Sequence, residues 1–293
     1  MNKKALIIDG NSLVYRAYYA TENQLQYFEE NDLFPTNALR LMIDLCFKLK
    51  QQKDYDYLII AFDAGKTTFR TEMFSDYKAH RCKMPDALAM QLPIVHQAVK
   101  AIGFNVFKML NIEADDIIGS SAKILSSLEN VDIDVYSSDR DILQLVDKHI
   151  NVNMIKKGLT DVLNYNLENF KDLNNGLTPK QTPDFKAIVG DKSDNIPGVK
   201  GIGEKTGIEM LLKYSTLESI YDNLDSFKDG IKNKLIADKE NAKMYKELAT
   251  IKTDLYTIED IDKFVKRDTD YNQLESIINE FSLKSLLKYL ERN

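Results

Sequence analysis

Three stretches of the chain are short apolar runs that close on an aspartate: Ala5-Leu6-Ile7-Ile8-Asp9, then Tyr57 to Phe62 followed by Asp63, then Val131 to Tyr136 leading through Ser137-Ser138 to Asp139. Runs of this length predict buried parallel strands whose last residues emerge at one edge of a sheet. Between them apolar residues recur at helical spacing, at Leu39, Met42, Cys46 and Leu49, then at Leu88, Leu92, Val95 and Val99. A further helix opens at Glu113 and runs through Ile117, Ile118, Ala122, Ile124 and Leu125. Strands alternating with helices predict an α/β fold, a mostly parallel sheet flanked by helices. Past residue 165 the strand signals stop. Thr182-Pro183-Asp184 has the N-cap, N1 and N2 order of a helix start, and helical patterns follow at Leu211-Leu212, Leu217-Ile220-Leu224, Leu235-Ile236, Tyr245-Leu248 and Ile277-Phe281-Leu286-Leu287. The pattern divides the chain into an α/β unit over 1–168 and a helical unit over 172–293.

Composition narrows the class. The 293 residues are 44% hydrophobic and 29% charged, as in a soluble globular protein. No apolar run approaches the ~20 residues of a membrane span. Lys3 and Lys4 precede an apolar run, but Asp9 cuts it short of a secretory segment, so a cytoplasmic protein without membrane attachment is expected. Cys46 and Cys82 have no metal-ligand spacing and are too few to staple a chain of this size. The net charge of −6 argues against a simple electrostatic nucleic-acid coat, yet leaves room for a basic patch beside an acidic, metal-loaded site.

The acids supply the candidate chemistry. Ligands of parallel sheets bind at the carboxyl ends of the strands, where Asp9, Asp63 and Asp139 all sit. Glu113, Asp115 and Asp116 crowd the mouth of a helix. One or two such acids serve a helix dipole, but three together repel unless a cation or basic partner neutralises them. Asp141, and Asp191 and Asp194 in Gly190-Asp191-Lys192-Ser193-Asp194, add further carboxylates. Two Mg²⁺ ions about 4 Å apart need such a bed and can clamp both oxygens of a phosphodiester displacement. None of His80, His96 and His149 lies in an acidic motif, which disfavours a zinc hydrolase. A phosphatase with a nucleophilic aspartate would want an acid two residues after Asp9, where Asn11 stands.

Two basic stretches accompany the acids. From Asp63 to Pro85, Lys66, Arg70, Lys78, Arg81 and Lys83 outnumber the acids, and on a helix Arg70, Phe74, Tyr77, Lys78 and Arg81 would share one face. Rings interleaved with cations suit single-stranded nucleic acid; the bland alternative is a solvated charged helix. Pro197-Gly198-Val199-Lys200-Gly201-Ile202-Gly203-Glu204-Lys205-Thr206 is a glycine turn entering a helix. Its amides offer an anion site beside Lys200 and Lys205, the helix-hairpin-helix pattern of phosphate-backbone contact, over about 195–213. A non-catalytic duplex-binding module could use that turn alone, but it would leave the strand-end acids unexplained.

Leu6-Ile7-Ile8-Asp9-Gly10-Asn11-Ser12, Ala61-Phe62-Asp63, Tyr77-Lys78-Ala79-His80-Arg81, Glu113 to Gly119, Ser138-Asp139-Arg140-Asp141 and Gly190 to Gly198 resemble, in order, the motifs of bacterial 5′-3′ exonucleases of the flap endonuclease family. The likeness covers residues 1 to 215 and is similar to the N-terminal nuclease domain of DNA polymerase I. With nothing polymerase-sized after Asn293, the chain looks like a freestanding member, expected to be a monomer. The resemblance implies Mg²⁺-dependent cutting at 5′ flaps and 5′ ends of DNA or RNA–DNA hybrid, as in primer removal and repair, with Mn²⁺ able to substitute. It implies a first metal near Asp9, Asp63, Glu113, Asp115 and Asp116, and a second near Asp139, Asp141, Asp191 and Asp194. It also implies a helical arch that carries Lys78 and Arg81 to the scissile phosphate and Tyr77 to a base; the shared helical face, read from spacing alone, adds Arg70 and Phe74 as DNA contacts. Gly198, Lys200, Gly201, Gly203, Lys205 and Thr206 would hold duplex, with K⁺ on the backbone of Val199 and Ile202.

Overall fold

The computed structural model describes residues 2–157 and 161–291. Six strands, β1 (Lys3–Asp9), β2 (Tyr57–Ala61), β3 (Asn105–Phe107), β4 (Val131–Ser137), β5 (Ile150–Lys157) and β6 (Asp161–Tyr165), form one sheet in the order β3-β2-β1-β4-β5-β6. All neighbours pair in parallel except β5 and β6. β1 lies between β2 and β4, with Leu6 opposite Leu58 on one side and Asp134 on the other. Because successive side chains of a strand point to opposite faces, Leu6 and Ile8 enter one core and Ala5 and Ile7 the other. Helices Gly10–Ala20, Asn37–Gln52 and Asp86–Ile102 cover the first face, and Ala114–Ser126 the second. This burial on both sides is why the strands read as unbroken apolar runs.

The three strands with weaker sequence signals are β3, which has only three residues, the edge strand β6, and β5, whose Asn151 and Asn153 interrupt its apolar residues. Thr182 proves to be the first helical residue of Thr182–Val189, not its cap, because a 3₁₀ turn, Pro179–Gln181, runs straight into it.

A third core is built from residues 177–249 and takes in Tyr77. The helical unit expected over 172–293 does not stay together beyond that point. Ile251 and Phe264 pack on the α/β unit beneath one sheet face, and Leu274, Ile277, Ile278, Leu283 and Leu286 join the core on the other. Backbone bonds from Lys266 N to Asp56 O (2.9 Å) and from Asp270 N to Ala101 O (2.7 Å) fix this return. Helical periodicity reports a buried face but not which neighbour buries it.

The segment from Asp63 to Pro85 also differs from expectation. It contains one short helix, Phe69–Met73, which ends at an extended Phe74, and turns follow to residue 80. Lys78 sits at φ 54°, left-handed backbone that a long side chain adopts only when its surroundings enforce it. The single helical face proposed for Arg70, Phe74, Tyr77, Lys78 and Arg81 therefore does not form.

Candidate active site

Asp9 ends β1 at the point where chain connections diverge toward β2 on one side and β4 on the other, the crevice where open α/β sheets bind ligands. Its carboxylate accepts from Ser12 N (2.9 Å) and Ser137 Oγ (2.6 Å). Burial, and then the charge of Asp139 and Asp63, outweigh those bonds and push Asp9 up to about 7. Asp63, past the end of β2, accepts from Ala114 N (2.8 Å) and from the Asn11 amide, which ties the second strand end to the start of the Ala114–Ser126 helix. Asp139, past β4, accepts from Asp141 N (2.9 Å), while its own N–H reaches Ser137 Oγ (2.9 Å).

The three acids at the helix mouth take three different roles. Glu113 is the N-cap and forms a capping box with Asp116. Burial raises its proton affinity, but Lys78, 2.8 Å away, and Arg70 outweigh that and hold it below the ordinary glutamate range. Asp116, fully buried, is paired end-on with Arg70 through two 2.7 Å bonds and also accepts from Lys252 N at 2.8 Å. Those oxygens are spent on the protein, so Asp116 supports the site from behind instead of lining it. Asp115 is left to its burial and to the charges of Asp139 and Asp9, which raise it well above an ordinary aspartate.

The second group is tighter. Oxygens of Asp141, Asp191 and Asp194 lie within 4.8 Å of one another. Gly190, at φ 89°, turns the chain out of the Thr182–Val189 helix so that Asp191 N and Ile196 N exchange bonds with each other's carbonyls (2.8 Å each), closing a loop that presents both Asp191 and Asp194. Asp139 was expected here as well; its bonds to Ser137 and Asp141 put it between the two groups. These donors are all carboxylate oxygens, which suit hard cations such as Mg²⁺ or Mn²⁺.

The basic segment lies across both groups as a strap. Lys78 Nζ is 2.8 Å from Glu113 and 3.9 Å from Asp194, and Arg81 pairs with Asp194 at 2.8 Å. Tyr77, expected as a stacking surface, is buried, and its hydroxyl donates to Glu113 and Asp194 at 3.2 Å. Phe74, expected on DNA, is half-buried with its ring edge against Tyr245. Arg70, also expected on DNA, is 2% exposed and gives Nε to Leu248 O (2.7 Å) and Nη2 to Thr250 O (2.9 Å). The Tyr77 ring thus lies in the third core, while Lys78 and Arg81 beside it pair with the acids.

At the glycine turn, Gly198 (φ 70°) is irreplaceable on steric grounds: a Cβ there would lie 2.4 Å from Gly190 N. The turn is thus packed directly on the loop that carries Asp191. Gly201 (φ 79°) also needs the left-handed conformation, whereas Gly203 is extended and caps the Glu204–Tyr214 helix without a side chain. Lys200 and Lys205 are exposed and Thr206 is half-buried at the helix start; Val199 and Ile202 are buried and joined by an Ile202 N to Val199 O bond of 3.0 Å. A cleft of about 1200 Å³ separates this region from the sheet edge, and Asp139, Asp141, Asp191, Arg81 and Tyr15 line it.

Lys186 joins the site although no motif of the sequence singles it out. Lys186, 8% exposed, pairs with both Asp141 and Asp191. Its signal was a lysine next to the apolar positions Phe185, Ala187 and Ile188 of a helix that leads into an acidic loop.

Carboxylates from three strand ends and a neighbouring loop, crossed by cations and open to a cleft, form a site suited to a metal-dependent phosphodiester hydrolase. Two family models match in succession, the N-terminal resolvase-like domain of 5′-3′ exonuclease over residues 4–172 and its C-terminal SAM fold over 177–282. The chain belongs to the 5′-3′ exonuclease family. It is 41% identical over 284 residues to the 5′-3′ exonuclease of Mycoplasma pneumoniae, covering 97% of each chain. It is 40% identical over 289 residues to DNA polymerase I of Streptococcus pneumoniae, where the match takes in 98% of this chain and 33% of the polymerase. The fold is similar to that of the T5 D15 protein co-crystallized with metal ions (TM-score 0.69, 22% identity, 99% of this chain and 100% of that one). It is also similar to the catalytic core of Rad2 in complex with DNA substrate (TM-score 0.60, 18% identity, 100% and 93%).

Proposed function

We propose that this nuclease is structure-specific, hydrolysing phosphodiester bonds at 5′ ends and 5′ flaps of DNA and of RNA–DNA hybrids, in primer removal and DNA repair, with two divalent cations. The convergence of Asp141, Asp191 and Asp194 within 4.8 Å, next to the strand-end acids Asp9, Asp63 and Asp139, is the observation that carries this reading. Asp9, Asp63, Glu113 and Asp115 would hold one Mg²⁺ or Mn²⁺, and Asp139, Asp141, Asp191 and Asp194 the other; bound there, the pair supplies positive charge to the attacking and leaving oxygens. Lys78, which pairs with Glu113, and Arg81, which pairs with Asp194, would take the scissile phosphate. Lys200, Lys205 and the amides at the start of the Glu204–Tyr214 helix would hold the duplex backbone, with K⁺ on the carbonyls of Val199 and Ile202. Support for DNA as the ligand comes from the fold relatives captured with it.

The test compares a 5′-labelled flap, an unbranched duplex and an RNA-primed duplex, each with Mg²⁺ and with chelator. Short products from the flap, and their loss in Asp139→Asn/Asp141→Asn with flap binding kept within a few-fold, are expected. Equal cutting of a closed circular duplex, or full activity in the double variant, would overturn the assignment.

A further inference from the structure

We propose that Lys186 is a tethered counter-ion for the second acidic group, which a divalent cation must displace in order to bind, so that this one residue sets how tightly the site takes metal. The inference rests on the reading of Asp141, Asp191 and Asp194 as a metal site.

The geometry makes ammonium and metal competitors for one space. The Lys186 Nζ pairs with Asp141 Oδ1 and with Asp191 Oδ2, two of the three acids whose oxygens converge within 4.8 Å. A cation shared by those oxygens would sit where the ammonium now is. The third acid, Asp194, is held from another side, by Arg81 at 2.8 Å and Lys78 at 3.9 Å.

These three cations differ in what carries them. Lys78 and Arg81 belong to the strap, a segment of turns that follows one short helix. Lys186 belongs to the scaffold. Its helix, Thr182–Val189, is packed into the third core through Ala187 and Ile188, and its own carbonyl accepts from Gly190 N (2.8 Å) to start the Asp191 loop. Movement of the strap would strip two cations from the group, but Lys186 would remain. Its flexible four-carbon stem lines the cleft, so the ammonium has somewhere to go when metal arrives. Without it, the carboxylates of Asp141 and Asp191 face each other in a half-buried place and metal binding relieves the whole of their repulsion. With it, metal binding must first undo two ion pairs.

The experiment is Mn²⁺ binding to the full chain without DNA, followed by electron paramagnetic resonance of the free ion and by calorimetry. Wild type, Lys186→Met, Lys186→Gln, Asp141→Asn and Lys186→Met/Asp141→Asn are compared. Wild type should show a tighter and a weaker class of site. Both Lys186 variants should tighten the weaker class by about tenfold or more, a conservative share of the interaction between close charges, and leave the other class unchanged. Asp141→Asn should remove the weaker class in either background. Variants too unstable to titrate without metal are read by melting temperature against Mn²⁺ concentration, where the Lys186 variants should gain more per decade of metal than wild type at low concentration. A weaker class that is lost in Asp141→Asn but unchanged or loosened in both Lys186 variants would overturn the role of Lys186. A single class in wild type, unaffected by Asp141→Asn, would overturn the second-metal reading itself.

Discussion

Arg70→Met should destabilise the protein severely without acting first on DNA. The side chain is about as buried as a charge can be, and it joins three parts of the chain: its own short helix, Asp116 on the Ala114–Ser126 helix, and the carbonyls of Leu248 and Thr250, where the chain turns back to the sheet. Removing one partner of a buried ion pair leaves the other charge uncompensated and costs about 3–5 kcal/mol. At about 2.1 cal/mol/K per residue of unfolding entropy, the 293-residue chain changes stability by about 0.6 kcal/mol per degree. A loss of about 4 kcal/mol thus lowers Tm by about 7 °C. Adding Asp116→Leu removes the orphaned carboxylate and should return about half of the loss, because the backbone groups that Arg70 and Asp116 satisfied stay unpaired. Thermal melts in chelator of the two single variants and the double variant form a cycle that isolates the pair. An Arg70→Met protein that melts like wild type but binds flap DNA weakly would refute this argument and return Arg70 to the DNA-contacting role suggested by its place in the sequence.

Three further outcomes are expected. In chelator, Asp9 keeps its proton in the folded chain up to about 7 against 3.8 unfolded, so it stabilises below pH 4 and that contribution is lost as the pH rises to 7. Asp9→Asn should therefore melt higher than wild type at pH 7.5, by at most about 4 kcal/mol, and no higher at pH 4; a variant that is less stable throughout would count against this charge burial. Lys78→Ala should slow single-turnover cleavage far more than it weakens flap affinity, because a cation at the scissile phosphate matters most as charge develops in the transition state; a pure affinity loss would remove that role. Gly198→Ala should lower Tm and abolish duplex retention together, since its Cβ would meet Gly190 N at 2.4 Å and Val189 C at 2.6 Å; a variant with wild-type melting would show that the turn can open.

The sequence by itself determined the sheet centre and the acids at its edge. A strand buried on both faces has to be apolar throughout, so Ala5–Ile8 and Tyr57–Phe62 announce themselves, and the first polar residue after each run marks the exit where ligands bind. Asp141, Asp191 and Asp194 were likewise legible from local motifs, and Gly198 and Gly201 from the backbone freedom their turn requires. Only the tertiary structure could divide Glu113, Asp115 and Asp116 among cap, site and support, because what separates them is a partner far away in sequence: Lys78 for the first and Arg70 for the third. The same holds for the strap, where helical spacing set Arg70, Tyr77 and Lys78 on one exposed face while burial sent the first two into the core. Lys186 and the return of residues 251–290 to the sheet depended in the same way on long-range packing, since a periodic pattern specifies that a face is covered and leaves to the folded chain what covers it.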